Sequence, residues 1–269
     1  MSSLFLIRPP VPEEGAIVAS IMRSAATPLM LHTTVIGCVG LGEFFRDQIA
    51  AGHPNRFLVA ERDGALVGMS SWRRHGESLH LNYLYVSPPA QGAGIGTALL
   101  EAGLAFRESS DVEWLAVDVH DDNQRARGWY DEMGLTLTER RLVLEVPTLA
   151  SSPEERREWS STFHEEGVRE HTRYGFSSFT LKTPDNSYVV GRLGDSLFRV
   201  TSGAIVHDAA AMEALHSLDS RRALLCFCTP EELGTDLENR GRVLGMTERL
   251  IGSIDCVADR LRACGRINL

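Results

Sequence analysis

The residues of this 269-residue chain best suited to chemistry lie in one run, Leu84-Tyr85-Val86-Ser87-Pro88-Pro89-Ala90-Gln91-Gly92-Ala93-Gly94-Ile95-Gly96-Thr97-Ala98-Leu99-Leu100. An apolar strand enters a turn punctuated by three glycines, and an Ala/Leu-rich helix leaves it. Glycines let successive backbone N–H groups converge without Cβ obstruction. Those donors then stand at the positive end of a helix dipole, which suits a phosphate group. The expectation is a phosphate-bearing ligand at Gln91, Gly92, Ala93, Gly94, Ile95, Gly96 and Thr97. A dinucleotide-binding turn would place Gly or Ala where Thr97 stands. A P-loop would require Gly-Lys-Ser/Thr, which is absent.

A second block follows: Val119-His-Asp-Asp-Asn123-Gln-Arg-Ala126-Arg-Gly-Trp129-Tyr130-Asp-Glu-Met-Gly134-Leu135. Together, Gln91-x-x-Gly94-x-Gly96 and this Asn/Ala/Tyr/Gly block resemble the two motifs of the GCN5-related N-acetyltransferase (GNAT) superfamily, in the superfamily's order. The resemblance implies acetyl-CoA as co-substrate. The amides of Gly92 to Gly96 and the Thr97 hydroxyl would cradle its pyrophosphate. Leu84, Tyr85 and Val86 would splay from the strand around Trp114–Val119 and bind the pantetheine arm as an added strand. Asn123 and Ala126 would help hold the cofactor near the thioester.

Acyl transfer to an amine needs a neutral nucleophile, a stabilised oxyanion and a protonated leaving thiolate. The resemblance gives the oxyanion donor as the Val86 N–H and the thiolate acid as Tyr130. Counting back from Gln91, His80 falls where some members carry a base, and a histidine can fill that role. Asn82 could instead hold a water that carries the proton. Asp118 and His120 on the next strand are rivals for the base, and Glu43 could contact an amine.

The elements that must position these groups follow from punctuation and periodicity. Leu4–Arg8 reads as a strand, and Pro12-Glu13-Glu14 opens a helix with Ile17, Val18, Ile21 and Met22 at helical spacing. Residues 26–52 look irregular, with Gly37, Gly40 and Gly42. Asp63-Gly64 marks a hairpin, and Leu79–Val86 is a strand before the helix Ile95–Phe106. Strand Trp114–Val119, helix Asn123–Met133 and a strand pair over Leu135–Val146 complete a mixed α/β (α+β) domain, a central mixed sheet flanked by helices, at residues 1–148. Ser152-Pro153 with Glu155 signals a capped helix in a linker, 149–170. Residues 171–269 read as a smaller C-terminal α/β unit. Its strands are Ser178–Thr183, Ser187–Leu193, Phe198-Arg-Val, Arg222–Cys228 and Val243–Ile251. Its helices are one capped by Asp208, Pro230–Arg240 and Ser253–Gly265. This half resembles a degenerate GNAT-like module lacking both motifs, so no CoA site is expected there. Dimerisation, or walling the acceptor pocket, is its expected role.

Composition narrows the partners. A formal net charge of −9 argues against a nucleic-acid binder. No apolar run reaches the length of a membrane helix, and the N-terminus has no signal-peptide pattern, so a cytoplasmic protein with no membrane role is expected. The five cysteines fit no zinc spacing, so they are expected to be reduced thiols, and no metal is expected. The leading reading is an N-acetyltransferase acting on a primary amine of a small molecule (an antibiotic, amino acid or polyamine) in a ternary complex. Two other readings stand beside it: a protein Lys or N-terminal acetyltransferase, and a non-catalytic acyl-CoA sensor.

Overall fold

The computed structural model describes residues 5–52, 55–107, 111–148, 157–162, 165–233 and 241–263. Its first half runs β1 (Leu6–Arg8), α1 (Gly15–Ala25), α2 (Pro28–Thr33), α3 (Leu41–Ala50), β2 (Arg56–Arg62), β3 (Ala65–His75), β4 (Ser78–Val86), α4 (Ile95–Leu104), β5 (Trp114–His120) and α5 (Gln124–Glu132). Then come β6 (Thr136–Val146), β7 (Ser160–Ser161), α6 (Glu165–Tyr174), β8 (Phe176–Lys182), β9 (Ser187–Leu193) and β10 (Leu197–Val200). Last are α7 (Ala209–Leu218), β11 (Ala223–Cys228), α8 (Pro230–Leu233), β12 (Arg242–Ser253) and a closing helix, Ile254–Ala263.

Two units emerge from the packing. One comprises Met1–Pro28, Leu41–Glu139 and Glu248–Leu269; the other comprises Leu29–Gly40 and Arg140–Thr247. Linear boundaries at residues 148 and 171 therefore do not describe the division. The closing helix explains why. Ile254, Val257 and Leu261 enter the same core as Leu79, Leu115 and Tyr130, so this helix packs with the first half of the chain.

In the first unit the strand order is β1-β2-β3-β4-β5, followed by the last residues of β12. The β2–β3 hairpin turns at Asp63 and Gly64, both left-handed (φ 54° and 76°), as a two-residue turn of this twist requires. Residues 26–52 are more regular than their glycines suggest. A Cβ on Gly15 would lie 2.5 Å from the Gly42 carbonyl oxygen, and one on Gly42 would lie 2.9 Å from Ala16 Cα. These glycines permit the close crossing of α1 on α3 rather than breaking helices.

Two further expectations are corrected. Thr136–Val146 is one continuous strand of 11 residues, not a pair; Glu139-Arg140-Arg141 offers no turn residue to reverse it. Among its described residues the charged linker is helical from Glu165, in a helix that runs to Tyr174, and Ser160–Ser161 is a short strand paired with Lys182 and Leu181. The cap proposed at Ser152-Pro153-Glu155, the end of the helix from Pro230, Leu4 and Cys264 lie outside the described residues.

In the second unit β6 pairs with β11, then β10, β9, β8 and β7 follow in order. Asp208 caps α7 as anticipated, accepting the Ala211 N–H at 3.0 Å. From Leu224 to Cys226 both edges of β11 are occupied. It pairs in parallel with β10 from Leu197↔Ala223 to Val200↔Cys226, and antiparallel with β6 from Leu224↔Val146 to Cys228↔Leu142. Cys38, Cys226, Cys228 and Cys256 are free thiols.

Candidate active site

The site begins with one extra residue. Along β3 and β4 the register steps from Trp72↔Leu81 to Ser71↔Tyr83, so Asn82 has no cross-strand partner and forms a β-bulge. The bulge changes which residues face the core. Before it, Leu79 and Leu81 pack with Leu115 and Val117; after it, Leu84 and Val86 pack with Ile95 and Leu99. The parallel ladder between β4 and β5 runs from Ser78↔Trp114 to Leu81↔Val117 and stops there. Bulge and ladder end coincide, and the backbone of residues 82–86 leaves β5 with an open edge. Ser87 N–H bonds to the Val67 carbonyl of β3 at 2.9 Å. By the alternation of strand amides, the Val86 N–H points the other way, into the opening.

Beyond Val86 the chain turns through Pro88–Ala90. Gln91 braces this turn, its Nε2 donating to the Val86 carbonyl at 3.0 Å. Gly92 and Gly94 both have φ of +82°, and nothing lies within 4 Å of where a Cβ would sit on either. Gly94 is the N-cap of α4 and brings no capping side chain, which leaves the amides of Ile95, Gly96 and Thr97 without intrahelical acceptors. Ile95 is anchored in the core beside Leu99 and Ala90. Gly96 keeps α4 close to β4, a Cβ there lying 3.5 Å from Leu84 Cδ2. Thr97, in the first turn of α4, is only 7 % exposed.

Asn123 is the N-cap of α5, its Oδ1 accepting the Ala126 N–H at 3.2 Å. It therefore fixes the helix start as well as standing at the motif position. Tyr130 is 7 % exposed, with its ring 5.1 Å from that of Trp129. Burial pushes its hydroxyl above the usual phenol value, so it holds its proton throughout the neutral range. Tyr85, buried and pushed up the same way, senses the Tyr130 phenol across the site.

His80 Nε2 lies 3.4 Å from Asp118 Oδ2. Burial lowers the His80 pKa, the Asp118 charge opposes that, and Arg249, His75 and Arg73 add to the lowering. Asp118 in turn receives Arg249 Nε on Oδ1 and Nη2 on Oδ2, both at 2.8 Å. His80 and Asp118, rival bases in the sequence reading, are thus neighbours in one cluster. His120 is buried at the end of β5, and its carbonyl accepts the Asn123 N–H at 2.9 Å. Glu43 is held on the surface of α3 by Arg46 at 3.0 Å. Sequence reasoning missed Arg249 and also Arg125, which donates to Gln91 Oε1 at 2.6 Å beside the glycine turn. Arg125 sits inside the second motif, two residues after Asn123, and that position was its available signal. Arg249 gave none, being 131 residues from Asp118. Among the described residues no group of three His, Cys, Asp or Glu side chains could hold a metal, and no helix is long and apolar enough to cross a membrane.

Residues 27–135 match the Acetyltransferase (GNAT) family. This segment, which holds both motifs, is what the chain shares with the GNAT family. The GNAT match spans the open strand edge, the glycine turn and the block through Tyr130. Over 101 residues the chain is 36 % identical to a mycothiol acetyltransferase from Acidimicrobium ferrooxidans, covering 35 % of this chain and 33 % of that protein. The aligned part is thus about a third of the length of this curated relative. In fold the chain is similar to a tandem GNAT protein from the clavulanic acid biosynthesis pathway, with a TM-score of 0.61 and 12 % identity, over 93 % of this chain and 99 % of the other. A GNAT protein from Sphaerobacter thermophilus is similar at TM-score 0.60, with 12 % identity over 93 % and 96 % of the two chains. Both likenesses concern the mixed sheet and its helices, the fold expected from the motifs.

Proposed function

We propose that this chain is a GNAT acetyltransferase that transfers an acetyl group from acetyl-CoA to a primary amine of a small molecule, in a ternary complex at a single site in the first unit. The observation that carries the reading is the coincidence of the Asn82 bulge, the end of the β4–β5 ladder and the uncapped glycine turn. An open strand edge leads directly to a set of free amides. That is the shape a ligand with an extended amide-bearing arm and a pyrophosphate would need. The aligned relatives, being acetyltransferases, support the same reading.

Acetyl-CoA, when bound, supplies the activated acyl thioester. The amides from Gly92 to Thr97 would hold its pyrophosphate, and Leu84, Tyr85 and Val86, beyond the end of the β4–β5 ladder, its pantetheine arm. The Val86 N–H would meet negative charge developing on the acyl oxygen, a preorganised donor that no side-chain change removes. Tyr130 would face the departing sulfur. A thiol titrates near 8.5 and a tyrosine near 10, and burial raises Tyr130 further. Full proton transfer from Tyr130 to a thiolate is therefore uphill. Its contribution is a hydrogen bond that strengthens as charge builds on sulfur, with the proton completing its move from solvent. His80, kept neutral by burial, would accept the amine's proton.

The second unit is not expected to repeat the site. β11 is paired on both edges from Leu224 to Cys226, and the N-terminus of α7 is already filled by the Asp208 carboxylate.

The test is thiol release from acetyl-CoA with a panel of polyamines, amino acids, amino sugars and short peptides. Turnover with a free small amine supports the reading. Turnover confined to peptide substrates would move the acceptor to proteins. Saturable binding without turnover on any amine would make the protein a sensor.

A further inference from the structure

We infer that Arg249 is a positioning residue for the acceptor site: by gripping both oxygens of Asp118, it fixes the carboxylate against His80 Nε2 and leaves Nδ1 as the proton-accepting atom of the ring. This rests on the proposed acetyl transfer and deepens it, by naming the base atom and the residue that orients it.

The geometry is a chain of three side chains on three strands. Arg249 stands on β12, Asp118 on β5 and His80 on β4. Asp118 follows Val117, the last residue of β5 laddered to β4, and His80 precedes Leu81, the last on the other side. The trio therefore closes the paired end of the opening from which residues 82–86 diverge. A bidentate guanidinium–carboxylate pair is planar and directional, so it sets the plane of the Asp118 carboxylate. Two N–H groups at 2.8 Å hold that carboxylate more firmly than the imidazole at 3.4 Å. With Nε2 toward the carboxylate, Nε2 carries the ring proton and Nδ1 the lone pair. A base oriented by a carboxylate is a recurring design in acyl transfer. Here the carboxylate is itself oriented by a cation from a distant part of the sequence. The charged groups facing His80 are Asp118, Arg249, His75 and Arg73, and Glu139 acts on Arg249.

The direct test is the His80 titration followed by imidazole NMR in the full-length protein, wild type against Arg249→Met, Arg249→Lys and Asp118→Asn. Removing the guanidinium lifts a charge that depresses the His80 pKa, so Arg249→Met should raise the His80 midpoint. Asp118→Asn should lower it, each by about half a pH unit or more. Arg249→Lys keeps the charge without the planar grip and should lie between wild type and Arg249→Met. In turnover, Arg249→Met should cut kcat by about tenfold or more, shift the acid limb of the pH profile upward and leave acetyl-CoA affinity unchanged. Shifts of equal sign in Arg249→Met and Asp118→Asn, or no shift in either, would overturn the inference. Should Arg249→Met fail to fold, Arg249→Lys and Asp118→Asn still give opposite signs under the inference. The NMR readout needs no turnover, so failure of acetyl transfer in the wild type would be seen separately.

Discussion

Arg249 and Asp118 lie 131 residues apart in sequence, yet they form a two-bond pair, Nε to Oδ1 and Nη2 to Oδ2, each 2.8 Å long. The pair ties β12 to β5 at the place where β5 parts from β4. It also holds the Arg249 guanidinium firmly charged, because Asp118 accepts its hydrogen bonds. One strand from the end of the chain thus supplies both the sheet edge of the first unit and a cation in its candidate site.

Tyr130→Phe removes a hydroxyl and leaves the buried ring beside Trp129 in place. Turnover should fall by about 100-fold, while acetyl-CoA affinity and thermal stability stay near wild type. Stopped-flow thiol release alongside a binding titration separates the two effects. Wild-type turnover would remove Tyr130 from the chemistry.

Two helical glycines should respond in opposite directions to alanine. A Cβ on Gly103 would collide with the Trp72 ring, which is fully buried and donates its Nε1–H to Ser70 Oγ at 2.8 Å. Overpacking of that kind costs about 1–3 kcal/mol. Gly128, inside α5, has nothing within 4 Å of the added methyl, so Gly128→Ala should gain about 0.5–1 kcal/mol from helix propensity. Urea melts of the two variants should move to opposite sides of wild type.

Asp208 gives the second unit an acid-sensitive anchor. Burial works to raise its carboxyl pKa, but the donors Ala211 N–H, Thr183, Asn186 and Tyr188 outweigh burial and hold it below its ordinary 3.8. A carboxylate lowered on folding contributes stability in full above its unfolded value, and that stability is lost as pH falls through the folded one. Asp208→Ala should cost about 1–2 kcal/mol near neutrality, as the loss of an N-cap does, and flatten the stability profile below pH 4. An unchanged acid profile would show that the cap is not limiting.

What the sequence disclosed was local. Gln91 to Thr97 are neighbours along one turn and helix start, and Asn123 and Tyr130 along one helix, so spacing alone placed each set on its element. The hairpin at Asp63-Gly64 and the cap at Asp208 were legible for the same reason, since each residue's own conformational or hydrogen-bonding preference decides the outcome. The hidden features depend on what lies opposite. Gly42 reads as a breaker until Ala16 of α1 is seen 2.9 Å from its missing Cβ. Asn82 looks like an ordinary strand residue until the register with Ser71 and Trp72 shows it to be surplus. The unit boundary was misplaced because the closing helix returns to the core of Leu79 and Tyr130, a long-range choice that no local pattern encodes.

Calorimetric titration of the full chain with acetyl-CoA, with Gly94→Val as comparison, tests the central claim most directly. A β-branched side chain at φ +82° is strained by about 1–2 kcal/mol but meets no neighbour within 4 Å, so the variant should fold with a damaged turn. The account predicts saturable binding at one site per chain and its loss in Gly94→Val. No binding to folded wild type, two sites per chain, or undiminished binding in Gly94→Val would contradict it.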